Sequence, residues 1–70
     1  MELSARNQLK GTITSIQPGA VNAIVVIELA GGDQITSTIS MESVKSLGLE
    51  VGKEAYAVIK ATSVMIGVEH

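Results

Sequence analysis

Val21, Ala23, Val25, Ile27 and Leu29 form one continuous apolar face of a β-strand over residues 20–29. The opposite face, Ala20, Asn22, Ile24, Val26 and Glu28, is apolar through its middle as well. Side chains alternate across a strand, so a segment of this kind has to be covered on both sides. A chain of 70 residues does not have the mass for two covering layers. A domain this small buries only about 60% of the surface that its unfolded chain exposes. The second face is therefore expected to meet another subunit. Other staples are missing: there is no cysteine, hence no disulfide and no thiolate metal site, and the single histidine is the terminal His70, expected to fray.

The apolar mass is Val, Ile, Leu and Ala, with Tyr56 the only aromatic residue. β-Branched residues pack well on pleated surfaces, which argues for an all-β protein. The net charge is −2. Neither that charge nor the lack of stacking aromatics suits nucleic acid or an anionic membrane. No apolar run approaches the ~20 residues of a membrane span. Glu2 and Arg6 stand where the apolar part of a signal peptide would begin, so the expected compartment is the cytoplasm. Ser/His/Asp and Cys/His arrangements are impossible without an internal His or Cys. The seven acidic residues are scattered, with only Glu28 and Asp33 near each other on a hairpin. A binding protein is expected, not an enzyme.

Alternation over residues 9–16 predicts a strand with Leu9, Gly11, Ile13 and Ser15 on one face. Gln17, Pro18 and Gly19 form a turn into the strand over 20–29. Ala30, Gly31, Gly32 and Asp33 form a hairpin turn, and residues 34–40 return as a third strand. Ser40 reads as the N-cap of a short helix, with Glu42 in its first turn, Lys45 near its end and Gly48 closing it. Residues 54–60 and 63–68 are expected as fourth and fifth strands. Five short strands with one helix between the third and fourth describe an OB-like, five-stranded Greek-key barrel, here a single domain over residues 1–70 assembled as a homo-oligomer. Leu3, Ile24, Val26, Val58, Met65 and Ile66 are assigned to core or interface.

Four places carry groups able to hold an anion. Arg6 with Ser4 offers a fork of donors that never titrates near neutrality; read alone, it is also an ordinary solvated arm. Lys60 stands at a strand end beside Ala61, Thr62 and Ser63, small enough to let an anion near the backbone; alone, it is also a lysine blunting a sheet edge. The helix start from Ser40 to Val44 has unpaired amides, with the Ser43 hydroxyl close by, as any capped helix has. The turn through Gly19, Ala20, Val21 and Asn22 can form a concavity of N–H groups, or simply join two strands.

Taken together, Ser4-Ala5-Arg6-Asn7-Gln8-Leu9-Lys10-Gly11, Gly19-Ala20-Val21-Asn22, Ser43-Val44 leading to Leu47-Gly48-Leu49, and Ala57-Val58-Ile59-Lys60-Ala61-Thr62-Ser63-Val64 resemble the molbindins, or Mop proteins. The resemblance covers nearly the whole chain, and the pairing of its first and last strings is its specific part. It implies an OB-like barrel assembled as a homohexamer, a trimer of dimers, that binds molybdate or tungstate at subunit interfaces in more than one class of site. It implies that Ser4, Ala5 and Arg6 meet Lys60 and Ala61 around one oxyanion, with Ser43 and Val44 from the helix start. It implies a second oxyanion site at Gly19, Ala20 and Asn22. The function implied is cytoplasmic storage or homeostasis of the oxyanion. The alternative is an oligomerising interaction module that serves molybdenum cofactor delivery, a transporter or a regulator. No cation-liganding metal site is expected.

Overall fold

The β-branched content goes into one antiparallel sheet. In the structure, a computed structural model that describes residues 4–69, the strands are β1 (Asn7–Pro18), β2 (Asn22–Leu29), β3 (Gln34–Ser40) and β4 (Glu54–Ile59). A helix, α1 (Met41–Ser46), lies between β3 and β4, and a single 3-10 turn, Ala61–Ser63, follows β4. The spatial order is β3-β2-β1-β4. Leu3 and His70, both singled out from the sequence, lie outside the described residues.

β1 serves its two neighbours in turn. It pairs with β4 from Asn7↔Ile59 to Thr12↔Glu54, and with β2 from Gly11↔Leu29 to Pro18↔Ala23. The sheet bends where the two ladders overlap and curls into a half-barrel. Gly11 sits at that overlap. A Cβ there would stand 2.5 Å from the Glu28 carbonyl oxygen and 2.5 Å from Ile27 Cγ2, closer than side-chain atoms approach. A glycine inside a strand commonly marks such a close approach of backbones.

Two residues further on, the register shifts between Ile13 and Ser15. Thr14 is the extra residue, and its hydroxyl donates to the Val26 carbonyl at 3.4 Å. A bulge swaps the faces of everything beyond it. Strict alternation puts Ser15 beside Ile13; in the structure Ile16 pairs with Val25 and packs against the core instead.

The core consists of Ile13, Ala23, Val25, Ile27, Val44 and Ala57, with Ile35, Ile39, Leu49 and others packed around it. The apolar face read for β2 is the inner one from Ala23 to Leu29. Val21 departs from it and is 73% exposed, because it lies in the turn before β2. Its carbonyl accepts the Met41 N–H at 2.8 Å, tying that turn to the start of α1. On the outer face Ile24 stays exposed within a single chain.

The helix is bounded as its sequence indicates. The Ser43 N–H donates to Ser40 Oγ at 3.0 Å. At the other end Gly48 takes φ +64, its N–H donates to Lys45 O at 3.1 Å, and the Leu49 N–H donates to Val44 O at 3.0 Å. That pair of bonds is the Schellman motif, and Leu49 follows it onto the core.

The sheet differs from the expected barrel in one element. The expected fifth strand over residues 63–68 is absent: Ala61–Ser63 form the 3-10 turn, and residues 64–69 continue with no strand pairing. The reason is geometric. A strand exists by its ladder, and after the turn the chain leaves the sheet, so residues 64–69 have no neighbour within their own chain. The half-barrel stays open between β3 and β4.

Gly11→Ala is expected to destabilise the protein by roughly 1–3 kcal/mol, the usual cost of forcing atoms into a filled space. A thermal melt that drops by several degrees checks this; an unchanged midpoint would show that the overlap of the two ladders is loose.

Candidate anion-binding site

The β1–β4 ladder determines where the cations go. Asn7 and Ile59 are its last pair, so Arg6 and Lys60, the next residue on each strand, emerge side by side. Ser4, Ala5 and Arg6 then face Lys60, Ala61 and Thr62 across an open cavity of about 260 Å3. From the sequence these segments were expected to meet across a subunit boundary; the ladder brings them together inside one chain. Two local contacts shape the walls. The Gln8 side chain donates to the Ala5 carbonyl at 3.0 Å, holding the segment that carries Arg6. The Ser63 N–H donates to the Lys60 carbonyl at 2.9 Å, closing the turn behind the lysine.

The salt bridges of the described residues engage other cations than this pair. Lys10 is engaged by Glu54 at 3.2 Å, and the hydrogen bond and charge of that carboxylate raise its pKa above the usual lysine value. Lys53 holds Glu50 at 2.6 Å, and for the same reasons, hydrogen bond first, the Glu50 carboxyl falls below its usual range. Both pairs are exposed, where such bridges add little to stability. Among the described residues, Arg6 and Lys60 make no ion pair. Two uncompensated cations lining one cavity, with the hydroxyls of Ser4 and Thr62, are suited to a small dianion. Thr62 was not among the expected ligands, although a hydroxyl two residues after Lys60 was the signal for it.

Ser43 and Val44 are not at this cavity. They belong to α1, which starts at the Pro18 end of β1, because Asn22 pairs with Ser40 and Pro18 with Ala23. The 12 residues of β1 place up to about 36 Å of strand between that end and Arg6. The helix start is also largely satisfied: the Met41 N–H is given to Val21 and the Ser43 N–H to Ser40 Oγ. Val44 is a core residue, 8% exposed. Ser43 retains one useful group: its Oγ accepts from the Ser40 hydroxyl at 2.8 Å, which leaves its own O–H to donate elsewhere.

The expected second site is a separate open cavity of about 320 Å3, lined by Gly19 and Asn22 together with Gln17, Pro18, Ala23, Ile24 and Thr38; Ala20 is not part of its wall. The Asn22 carbonyl stands 2.6 Å from where a Gly19 Cβ would be, which accounts for the glycine. Among the described residues this wall carries amides and a hydroxyl but no charge, so an unpaired dianion in it would be poorly compensated by one chain.

Residues 3–66 match the TOBE domain family. The chain is 65% identical over 69 residues to a probable molybdenum-pterin-binding protein of Haemophilus influenzae, covering 99% of this chain and 100% of that one. Its fold superposes with a TM-score of 0.91 on a molybdate-binding protein from Sporomusa ovata, at 32% identity, covering 97% of this chain and 100% of that one. It superposes with a TM-score of 0.93 on ModG, a cytoplasmic molybdate-binding protein with molybdate bound, at 52% identity, covering 99% of this chain and 49% of that one.

Because Arg6 and Lys60 are exposed and unbridged, Arg6→Ala and Lys60→Ala are each expected to move the stability of the ligand-free protein by no more than about 0.5 kcal/mol. Thermal melts without added anion check this. A loss of several kcal/mol would mean that these cations serve the fold and not a ligand.

Proposed function

The chain belongs to the TOBE-domain family and, within it, to the molybdenum-pterin-binding (Mop) proteins, and we propose that it binds molybdate or tungstate as an oligomer and buffers the oxyanion in the cytoplasm without catalysing a reaction. The observation that carries this reading is the juxtaposition of Arg6 and Lys60 by the end of the β1–β4 ladder, with no carboxylate bridged to either among the described residues. A tetrahedral dianion needs two positive charges and many donors. Arg6 and Lys60 supply the charges, and Ser4 and Thr62 supply hydroxyls. Ala5 and Ala61 keep the walls low enough for backbone amides to approach the remaining oxygens. Charge-assisted hydrogen bonds of this kind are roughly twice as strong as neutral ones.

The cavity is open on one side, and its closure is assigned to a second copy. In that arrangement the Ser43 hydroxyl, and the helix segment through Val44, come from a neighbouring protomer. The uncharged wall at Gly19 and Asn22 would surround an anion with enough amide and hydroxyl donors only by being repeated around a symmetry axis. A homohexamer, a trimer of dimers, satisfies both requirements, and residues 1–70 act as one domain throughout. Among the described residues no helix is long and apolar enough to cross a membrane. The net charge of −2 does not oppose anion binding, because the local field at two adjacent cations decides it.

Calorimetric titration with molybdate, tungstate, sulfate and phosphate tests the reading. Molybdate and tungstate are expected to bind and sulfate, with shorter bonds, to bind weakly; no heat from any oxyanion would leave the protein an assembly module. Ordinary Arg and Lys side chains stay charged across neutrality, so affinity is expected to be flat between about pH 6 and pH 8. A steep fall over that range would implicate a titrating ligand that this cavity does not have. Molybdate at a hundredfold excess over Kd should stabilise the protein by roughly 2.7 kcal/mol, seen as a raised melting temperature. Lys60→Ala should abolish most of that rise; an undiminished rise would place the anion elsewhere.

A further inference from the structure

Ser4, Ala5 and Arg6 line the anion cavity but stand outside the sheet, because the β1–β4 ladder begins at the Asn7↔Ile59 pair. Little packing holds them: Ser4 and Arg6 are exposed, and the half-buried Ala5 has only a methyl group. Among the described residues one side chain donates to this segment, that of Gln8, whose Nε2 lies 3.0 Å from the Ala5 carbonyl oxygen. Gln8 is itself fixed, being paired with Val58 in the ladder, and it does not line the cavity. A peptide unit is planar and trans, so its C=O and its N–H point in opposite directions. Turning the Ala5 carbonyl to Gln8 therefore turns the Arg6 N–H away from Gln8.

We infer that Gln8 is a positioning residue for the oxyanion: it holds the peptide between Ala5 and Arg6 in the orientation that keeps a carbonyl oxygen from facing the bound anion. The inference rests on the oxyanion reading given above. A peptide outside a sheet, with small side chains beside it, is free to rotate about the bonds on its two sides, and a half-turn exchanges its acceptor for its donor. In water both orientations are hydrated and differ little. Facing an anion, the carbonyl dipole repels and the N–H attracts. With the Gln8 bond in place, the segment has its orientation before the anion arrives. Without it, binding has to select that orientation, and the apparent affinity falls by the fraction of molecules that hold it. One hydrogen bond of ordinary strength biases such an equilibrium by about fivefold.

The test compares the full-length parent with Gln8→Met and Gln8→Glu, by calorimetric titration with molybdate and by NMR of the ligand-free proteins. Met keeps the length of the side chain and Glu its shape, and neither has a donor for a carbonyl at neutral pH. Without ligand, both variants are expected to melt within about 4 °C of the parent, as exposed substitutions do. Gln8→Met is expected to bind molybdate about fivefold more weakly, and Gln8→Glu more weakly still because it adds a negative charge. In both, the Ala5 carbonyl carbon and the Arg6 amide signals are expected to move while those of Lys60 and Ala61 stay. Parental affinity in Gln8→Met, or an unmoved Ala5 carbonyl signal, overturns the inference. Weaker binding together with a large fall in melting temperature, or with signals moved throughout β1 and β4, marks a merely structural role and overturns it too. If Gln8→Met does not fold, Gln8→Glu is judged by the same readings. If neither folds, coupling across the hydrogen bond from Gln8 Nε2 to the Ala5 carbonyl carbon in the parent decides: its presence supports the inference and its absence overturns it. Absence of oxyanion binding by the parent overturns the functional reading, while the Ala5 carbonyl signal of ligand-free Gln8→Met still decides whether Gln8 holds the peptide.

Discussion

The last rung of the ladder between β1 and β4, Asn7 opposite Ile59, is the contact on which the site depends. An antiparallel register carries its alignment past its final pair, so wherever Asn7 and Ile59 meet, Arg6 and Lys60 must emerge together. A slip of one residue would send every β1 side chain to the other face of the sheet. Ile13, 1% exposed, forbids that slip, and so does Gly11, which admits no Cβ where the β2 backbone crosses. The position of two surface cations is thus determined by a buried isoleucine and a glycine some distance away. Bringing two like charges together costs free energy that a dianion returns on binding, which is why such a pair makes sense as a ligand site and little sense as a structural one.

Much of this was legible in the residues. The β2 face from Ala23 to Leu29, the glycine hairpin, the Ser40 cap and the Gly48 closure of α1 each follow from local chemistry, and the structure has all of them. The bulge at Thr14 was not legible, because a bulge is decided by two strands and shows in neither alone. The fifth strand was misplaced for a related reason. Residues 63–68 have the composition of a strand, but pairing needs a neighbour, and their own chain offers none. Arg6 and Lys60 were recognisable as candidate cations, whereas their meeting within one chain required the register. The Thr62 hydroxyl stands on the same turn as Lys60 and joins the cavity lining, while Ser43 and Val44 lie the length of β1 away from that cavity within one chain, a separation that only the strand pairing reveals.

The site and the exposed apolar surface express one shortage. A chain of 70 residues without cysteine and with a single aromatic residue, Tyr56, has a small aliphatic core, an outer face on which Ile24 is exposed, and a segment after the 3-10 turn on which Met65 and Ile66 are exposed. Each is apolar surface that water penalises and that a second copy would cover at about 25 cal/mol per Å2. The cavity between Arg6 and Lys60 lies at the same margin, where the chain leaves the β1–β4 ladder. On the proposed reading ligand affinity and subunit association are linked, since anything that binds only an assembled form stabilises it.

The most direct measurement is the position of the heavy atom. In a crystal of the protein grown with molybdate, the anomalous signal of molybdenum should lie within hydrogen-bonding reach of both the Arg6 guanidinium and the Lys60 ammonium, beside the turn Ala61–Ser63. A molybdenum peak at some other place, with those two side chains directed apart into solvent, would contradict the account.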